Sequence, residues 1–332
     1  MNNPSRKNSV RAIRIESYGG PDVMQVVHVD LNAPGPDEVL MRNTAIGFNF
    51  IDTYHRTGLY PLPLPAGLGV EAAGIVEAIG EGVTTLAVGD RVASMGGGPG
   101  AYCEARVLDA HMVNKLPDGL DDRMVAASML KGLTSWALLH QTYPIKGGET
   151  VLIHAAAGGV GLILCQWAKH LGATVIGTVG TDEKAALAKS HGCDHVIVYS
   201  KENFTERVKD ITGGQGVPVV YDSVGKDTFE GSLDCLEPMG LLASFGNASG
   251  PVTGVSLDML SARGSLFVTR MTLGTTLAMP GKMQEGLDAL NEVLMSGAVK
   301  IEINHTYKLD DIQQVHIDAE ARKTSGSIII EP

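Results

Sequence analysis

The sequence predicts an α/β protein in two parts, a mostly antiparallel β domain and a doubly wound parallel sheet of six strands. Three observations predict it. Residues 10–116 carry short β-rich runs broken by Gly, Pro and Asp turns. From about Ala126 the style changes, and apolar strand-like runs alternate with helical patterns. At one joint in that second style stands His154-Ala155-Ala156-Ala157-Gly158-Gly159-Val160-Gly161. The apolar run Val151-Leu152-Ile153 precedes it. In the helical pattern that follows, Val160, Ile163, Leu164, Trp167, Ala168 and Leu171 recur at i, i+3, i+4, i+7 spacing.

In order along the chain, residues 10–15, 38–46, 73–79, 91–94 and 101–107 are the expected strands of the first part. Gly19-Gly20-Pro21, Ala33-Pro34-Gly35-Pro36 and the glycine run 96–100 punctuate them. No Lys-Ser/Thr follows that run, so it reads as a loop rather than a phosphate loop. In the second part, strands at 151–153, 174–178, 195–199, 217–221, 240–245 and 265–269 alternate with helices after the glycine turn and at 182–190, 203–211 and 228–236. Right-handed crossovers between them build the parallel sheet. A helix at 282–295, short β segments at 301–307 and 327–330, and a helix at 311–322 close the chain. The β segments are expected to return to the first domain.

Composition narrows the function. The chain has 332 residues, 44% apolar, and a net charge of −11. An acidic surface does not attract phosphate backbones, so nucleic acid is not an expected partner. No apolar run approaches the roughly 20 residues of a membrane span, so none is expected to enter a membrane. The first eleven residues are polar and basic, unlike a secretory signal, and read as a frayed tail. Cys103, Cys165, Cys193 and Cys235 form no C-x-x-C pair. They suggest no zinc site of that type and no disulfides, and a reducing cytoplasm is the expected location. Cys165 is expected to be a small buried apolar residue.

Strand, small-residue turn and helix are the context of a dinucleotide phosphate site, where a helix N-terminus offers free N–H groups. Against the G-x-G-x-x-G template, Ala156 takes the first glycine, Gly158 the second and Gly161 the third. The competing reading is a purely structural strand–helix turn. The second strand ends Gly177-Thr178-Val179-Gly180-Thr181, with no acid for a ribose 2′-hydroxyl. Lys184 opens the next helix, where a 2′-phosphate would meet its charge and the helix dipole. Tyr199 is placed to cover the adenine. NADPH is favoured over NADH, although Asp182 and Glu183 weaken the local positive field. The alternative for Lys184 is a solvated surface lysine.

Further segments carry a family resemblance. They are Asn49-Phe50-Ile51-Asp52-Thr53-Tyr54-His55-Arg56-Thr57-Gly58-Leu59-Tyr60, Gly67-Leu68-Gly69-Val70-Glu71-Ala72-Ala73-Gly74, Leu130-Lys131-Gly132-Leu133-Thr134, the 155–161 turn, Val220-Tyr221-Asp222-Ser223-Val224-Gly225 and Phe245-Gly246-Asn247. In this order, from about Arg11 to Pro332, the chain resembles the zinc-independent, zeta-crystallin-like quinone oxidoreductases of the medium-chain dehydrogenase/reductase superfamily. The resemblance implies a GroES-like catalytic domain (1–131 and 273–332), a Rossmann NADP-binding domain (132–272), and a cleft between them. In zinc-dependent alcohol dehydrogenases of that superfamily, metal ligands stand where this chain has Asn49 and Val70. Asn is a poor zinc ligand and Val is none, so no metal is expected. An alanine at the first glycine position is itself the form associated with the zinc-independent members.

The resemblance also implies site residues. Asn49, Tyr54 and Tyr60 would be the catalytic set, each with a donor for a carbonyl oxygen. Phe50, Ile51, Asp52, Thr53 and Tyr54 would line the nicotinamide end, with Thr134. Gly158, Gly159 and Val160 would meet the pyrophosphate. Gly180, Thr181, Lys184 and Tyr199 would hold the adenosine phosphate. Val224, Phe245, Gly246, Asn247, Ala248, Ser249, Gly250, Met271, Thr272 and Leu273 would border the nicotinamide wall, with Met271 where proline is expected. Arg322 would reach a cofactor phosphate. Tyr60 has a second reading, a loop aromatic packed on Pro61 and Pro63, and Arg322 a second one, a surface arginine. His154 reads as a core histidine without a carboxylate to orient it, and Asp222 as either a cleft residue or a cap. The implied activity is metal-free reduction of quinones by NADPH. An enone or alkenal reductase is the rival enzyme, and an NADPH-binding structural or regulatory protein the rival outside enzymes. The implied assembly is a homodimer, paired through the edge strand at 265–269, where Leu266, Phe267 and Val268 are apolar.

Overall fold

A computed structural model describes residues 9–96 and 98–332. The start of the expected N-terminal tail and Gly97 of the glycine run lie outside the described residues.

In chain order the elements are β1 (Ser9–Ile15), β2 (Gln25–Asp30), β3 (Glu38–Gly47), α1 (Ile51–Thr57), β4 (Ala66–Gly67), β5 (Glu71–Ile79), β6 (Arg91–Met95), β7 (Ala105–Asp109), β8 (Val113–Lys115) and α2 (Asp122–Trp136). Then come β9 (Thr150–Ile153), α3 (Gly159–His170), β10 (Thr174–Val179), α4 (Asp182–Ser190), β11 (His195–Val198), α5 (Phe204–Ile211), β12 (Val217–Asp222), α6 (Phe229–Asp234), β13 (Leu236–Ser244), α7 (Leu257–Ser261), β14 (Phe267–Arg270), α8 (Leu273–Leu277) and α9 (Lys282–Met295). β15 (Ile303–Lys308), α10 (Ile312–Glu320) and β16 (Ser327–Glu331) complete it.

Contacts divide the chain into two compact units, one running to Leu130 and resuming at Ile303–Pro332, the other Lys131–Glu302. The first unit holds a seven-stranded sheet in which β15 and β16 run parallel and β16 lies antiparallel to β3, and a smaller sheet ordered β2-β1-β4. Alternation along β3 buries Val39 and Met41, and Ile46, where the strand is buried on successive residues, joins them in a core shared with Ile13, Val76, Ile312 and Ile330. In the second unit six parallel strands take the order β11-β10-β9-β12-β13-β14, which is the doubly wound order expected. Its core contains Leu152, Ile176, Ile197, Val220 and Leu242.

Three departures have physical causes. Residues 101–104 were expected in one strand with 105–107. Instead Tyr102 N–H bonds to Leu68, Ile13 N–H to Tyr102, and Glu104 N–H to Arg11, so this stretch laces separate segments together and β7 begins at Ala105. Helix α1 gives no apolar periodicity because the residues it buries include Asp52, Thr53 and Arg56. Residues 273–302 group with the second unit rather than the first. There α9 packs on the end of α2: a Cβ at Gly286 would lie 2.9 Å from both Leu133 and Trp136, and one at Gly132 2.4 Å from Leu290. Only glycines allow the helices so close. All four cysteines are free and buried.

His316 on α10 is fully buried, edge-on to Phe48 at 5.2 Å, and among the described residues neither ring nitrogen finds a hydrogen-bond partner. Burial, helped by the Arg56 charge, pushes its pKa down to about 3. The unfolded chain therefore binds a proton that the folded one refuses between about pH 6.5 and about pH 3. Stability should fall as pH drops through that window, by up to about 1.4 kcal/mol per pH unit from this group. His316→Leu should flatten the acid limb of a urea-unfolding series while leaving the neutral-pH midpoint nearly unchanged.

Candidate active site

The glycine turn follows β9 directly. Ala155 takes a left-handed conformation (φ 52°), uncommon outside glycine. Its carbonyl accepts the Gly158 N–H at 2.9 Å, and Ala156 N–H donates to Thr178 O at 3.0 Å. The left-handed residue is thus 155 and not 156, so the first-glycine position tolerates the fully buried Ala156. A Cβ on residue 161 would lie 2.2 Å from Ala155 O and 2.8 Å from Ala156 Cα. Gly161 is therefore required for α3 to start against the turn. Gly158 is the N-cap of α3 and supplies no side-chain capping bond, and the first N–H groups of a helix have no partner within it. Gly158, Gly159 and Val160 form an anion-ready terminus of the kind a pyrophosphate fits.

At the next strand end, Thr181 caps α4, its hydroxyl accepting the Lys184 N–H. A Cβ at Gly180 would lie 2.8 Å from the Tyr199 hydroxyl, so the half-exposed phenol lies over Gly180. Lys201 pairs with Asp182 at 2.5 Å. The sequence reading missed this cation. It offsets one of the two acids set against a 2′-phosphate, modestly because the pair is exposed.

The loops after β12 and β13 are fastened to each other. Ser249 N–H and Oγ both bond to Val224 O, Ala248 N–H to Ser223 O and Lys226 N–H to Gly250 O. A Cβ at Gly246 would lie 2.2 Å from Ser223 O, and one at Gly225 2.7 Å from Gly250 O. Arg270, another residue missed in the sequence, donates to Ser244 Oγ and Gly246 O at 3.0 and 2.8 Å. Val224, Phe245 and the 246–250 stretch thus form one backbone-welded rim, and Met271 joins it through a bond to Ser244 O. Thr272 is the N-cap of α8 and Leu273 its first residue. Thr134 is buried on α2.

Asp222 caps that rim, its Oδ1 accepting the Val224 and Gly225 N–H groups. Its Oδ2 accepts from Ser232 and Thr228. Ser232 in turn meets His154 Nε2 at 3.0 Å, and His154 Nδ1 meets Thr178 Oγ1 at 2.8 Å. His154 is a core histidine, as expected, and burial holds its pKa below the ordinary value. A carboxylate does stand behind it, one serine away; strand order, not sequence spacing, brings β9 beside β12.

The remaining residues belong to the first unit. Asn49 precedes α1; its Nδ2 donates to Glu71 Oε1 at 2.7 Å and its N–H to Asp52 Oδ2 at 2.9 Å. Asp52 is fully buried, and its Oδ2 also accepts the Tyr102 hydroxyl at 2.7 Å. Its carboxylate faces the framework of the segment. Burial beside Asp52 raises the Tyr102 phenol well above its ordinary range. Thr53 Oγ1 bonds back to Phe50 O, next to Ile51, the first residue of α1. Phe50, Tyr54 and Tyr60 form an edge-to-face chain with centroids 5.7 and 5.2 Å apart. Arg322 lies exposed after α10 in a left-handed conformation (φ 58°). Among the described residues no three His, Cys, Asp or Glu side chains are grouped to hold a metal ion. At Asn49 the donor set is an amide committed to a carboxylate, which does not fit a zinc ligand.

A mostly antiparallel unit interrupted by a six-stranded dinucleotide-type unit, with Asn49 and Val70 at the positions of metal ligands, defines a dehydrogenase/reductase of the medium-chain class. Residues 35–118 match the alcohol dehydrogenase GroES-like domain, and residues 159–292 match the zinc-binding dehydrogenase family. A quinone oxidoreductase of Pseudomonas aeruginosa is 54% identical over 97% of this chain and 99% of its own length. A 2-haloacrylate reductase of a Burkholderia species is 46% identical over 97% and 99%. The crystal structure of Escherichia coli quinone oxidoreductase complexed with NADPH superposes with a TM-score of 0.95 at 48% identity, covering 97% of this chain and all of that one. The chain belongs to the quinone oxidoreductase family.

The turn geometry separates its two glycines. A Cβ at 158 would approach Ala155 O only to 3.2 Å. Gly161→Ala should lower stability by about 1–3 kcal/mol or more through overpacking against backbone. Gly158→Ala should cost clearly less. Thermal melts of the two variants check the order.

Proposed function

We propose that the protein catalyses NADPH-dependent reduction of quinones by direct transfer from the nicotinamide, without metal. The observation that carries this reading is Asn49, an amide tied to a buried carboxylate where metal-dependent members of the superfamily have a ligand. NADPH when bound supplies the reducing equivalents at its nicotinamide ring. The chain's own residues bind, orient and donate. The Gly158–Val160 N–H groups receive the pyrophosphate. Lys184 and the N-terminal dipole of α4, with Gly180, Thr181 and Tyr199, receive the 2′-phosphate end. Within the second unit Thr134, Val224, Phe245–Gly250 and Met271–Leu273 are the proposed contacts of the nicotinamide end; within the first, Phe50, Ile51, Thr53 and Tyr54 are, Asp52 serving the framework instead, and Arg322 would reach a phosphate. A quinone needs alignment and a dipole at its oxygen rather than a Lewis acid. Asn49, Tyr54 and Tyr60 provide N–H and O–H donors for that oxygen. The names and NADPH complex of the relatives support the same reading.

A second reading, reduction of a C=C conjugated to a carbonyl, is favoured by the similarity to the 2-haloacrylate reductase. Parallel assays with 1,4-benzoquinone and 2-alkenals as acceptors separate the two. NADPH binding without oxidation by any conjugated carbonyl would leave a binding protein and end the enzyme reading.

Two proposals concern setting. The protein works in the cytoplasm, which four unbridged buried cysteines support; among the described residues no helix is long and apolar enough to cross a membrane. It is a homodimer paired at β14, the open edge of its sheet, where Phe267 is 53% and Val268 38% exposed while Leu266 is buried beneath.

Lys184→Ala should weaken NADPH binding by about tenfold, roughly one charge-assisted bond, and leave NADH binding unaltered in fluorescence titrations. Tyr54→Phe and Tyr60→Phe should each slow naphthoquinone reduction; unchanged rates in both would remove the phenols from catalysis. Phe267→Glu should shift the particle mass in light scattering from dimer to monomer.

A further inference from the structure

We propose that Glu71 is a positioning residue for the reaction, acting through Asn49; the inference rests on the functional reading above. Glu71 is 1% exposed. A carboxylate taken out of water is costly unless donors meet it. Its Oε1 accepts from Asn49 Nδ2 and its Oε2 from the Leu130 N–H, both at 2.7 Å. The carboxylate therefore joins the loop after β3 to helix α2. Space for it is reserved by Gly47, where a Cβ would lie 2.6 Å from Glu71 Oε1 and 1.9 Å from Ala126 O.

The chemistry of the acceptor matters more than its size. An asparagine amide can turn about χ2 and exchange its oxygen for its nitrogen. A carboxylate only accepts, so Glu71 selects the orientation with Nδ2 towards itself. One N–H is spent on that bond, and the second N–H and Oδ1, to which no other described residue bonds, lie in a fixed plane for a reacting molecule. The main chain of Asn49 is held in the same manner by Asp52 Oδ2, which is itself braced by Tyr102. A glutamine at 71 presents one acceptor and one donor. It would oppose either Asn49 Nδ2 or the Leu130 N–H with another donor, and the amide would lose its single orientation.

The test is a double-mutant cycle on the full-length enzyme, with kcat expressed per NADPH site counted by fluorescence titration, so that unfolded protein does not register. Glu71→Gln should lower kcat for naphthoquinone reduction by about tenfold to a hundredfold, the effect of a misplaced group, with KM for NADPH within about twofold. Asn49→Ala should lower it at least as much. The double variant should be no slower than Asn49→Ala alone, because the Asn49 amide that Glu71 orients is then gone. If Asn49→Ala is slow but Glu71→Gln is not, or if the two losses multiply, Glu71 does not act through Asn49 and the functional reading stands. If Asn49→Ala turns over normally, the catalytic assignment of Asn49 falls and this proposal with it. Should Glu71→Gln fail to fold, Glu71→Asp, which keeps the charge and withdraws it by one methylene, enters the same cycle.

Discussion

The second unit depends on backbone packed directly on backbone at the C-terminal ends of its parallel strands. At three places a loop approaches so closely that a single methyl group would collide with a carbonyl: Gly161 on Ala155, Gly246 on Ser223 and Gly225 on Gly250. These approaches bring α3 close to β9 and fuse the loops after β12 and β13 into one rim. A ligand-facing edge made this way has N–H groups and carbonyls fixed by the fold rather than by side-chain rotamers, which is what a preorganised phosphate cradle needs. Part of the strain is visible at Ala155, whose left-handed conformation carries a cost of order 1–2 kcal/mol. The turn keeps it because that conformation presents the Ala155 carbonyl to Gly158 and leaves the α3 terminus free of any side-chain cap.

Behind each functional edge stands a buried carboxylate whose lone pairs organise backbone or side-chain donors. Asp222 takes two rim N–H groups and, through Ser232, a neutral histidine. Glu71 and Asp52 do the corresponding work around Asn49. In each of these bonds the carboxylate oxygen is the acceptor, which sets the polarity of the donors around it. That accounts for the buried hydroxyls of Ser232 and Tyr102 and the part-buried one of Thr228, which donate to these groups.

Hydrophobic periodicity makes the parallel sheet legible in the sequence. α4 and α9 occupy the expected 182–190 and 282–295, and the strand order follows from right-handed crossovers. The pattern was silent where burial is polar. Helix α1 turns Asp52, Thr53 and Arg56 inward and carries no apolar stripe. The lacing of 101–104 across separate segments has no period, and only pairing geometry reveals it. Lys201, Arg270 and Tyr102 escaped notice because each acts on a residue distant in sequence: Asp182, Gly246 and Asp52. Glu71 stood inside a recognised segment, yet its role required knowing that Asn49 and Leu130 converge on it. Residues 273–302 group with the second unit, and the close packing of α9 on α2 there falls at Gly132 and Gly286, which are unremarkable as letters.

The polarity of the Asn49 framework also bears on which acceptors it suits. Glu71 and Asp52 accept from an amide, a phenol and backbone N–H groups. On the proposed reading, Asn49 offers the substrate oxygen a dipole. An unactivated ketone, whose reduction builds up a localised alkoxide, is poorly served by it. A quinone or an enone spreads the incoming charge over a conjugated system and asks for little more than alignment and one well-aimed donor. On the proposed placement of the acceptor at Asn49, the bonds that fix this amide suit electron-poor conjugated acceptors, and the packing of β3, β5 and α2 would bear on the substrate class.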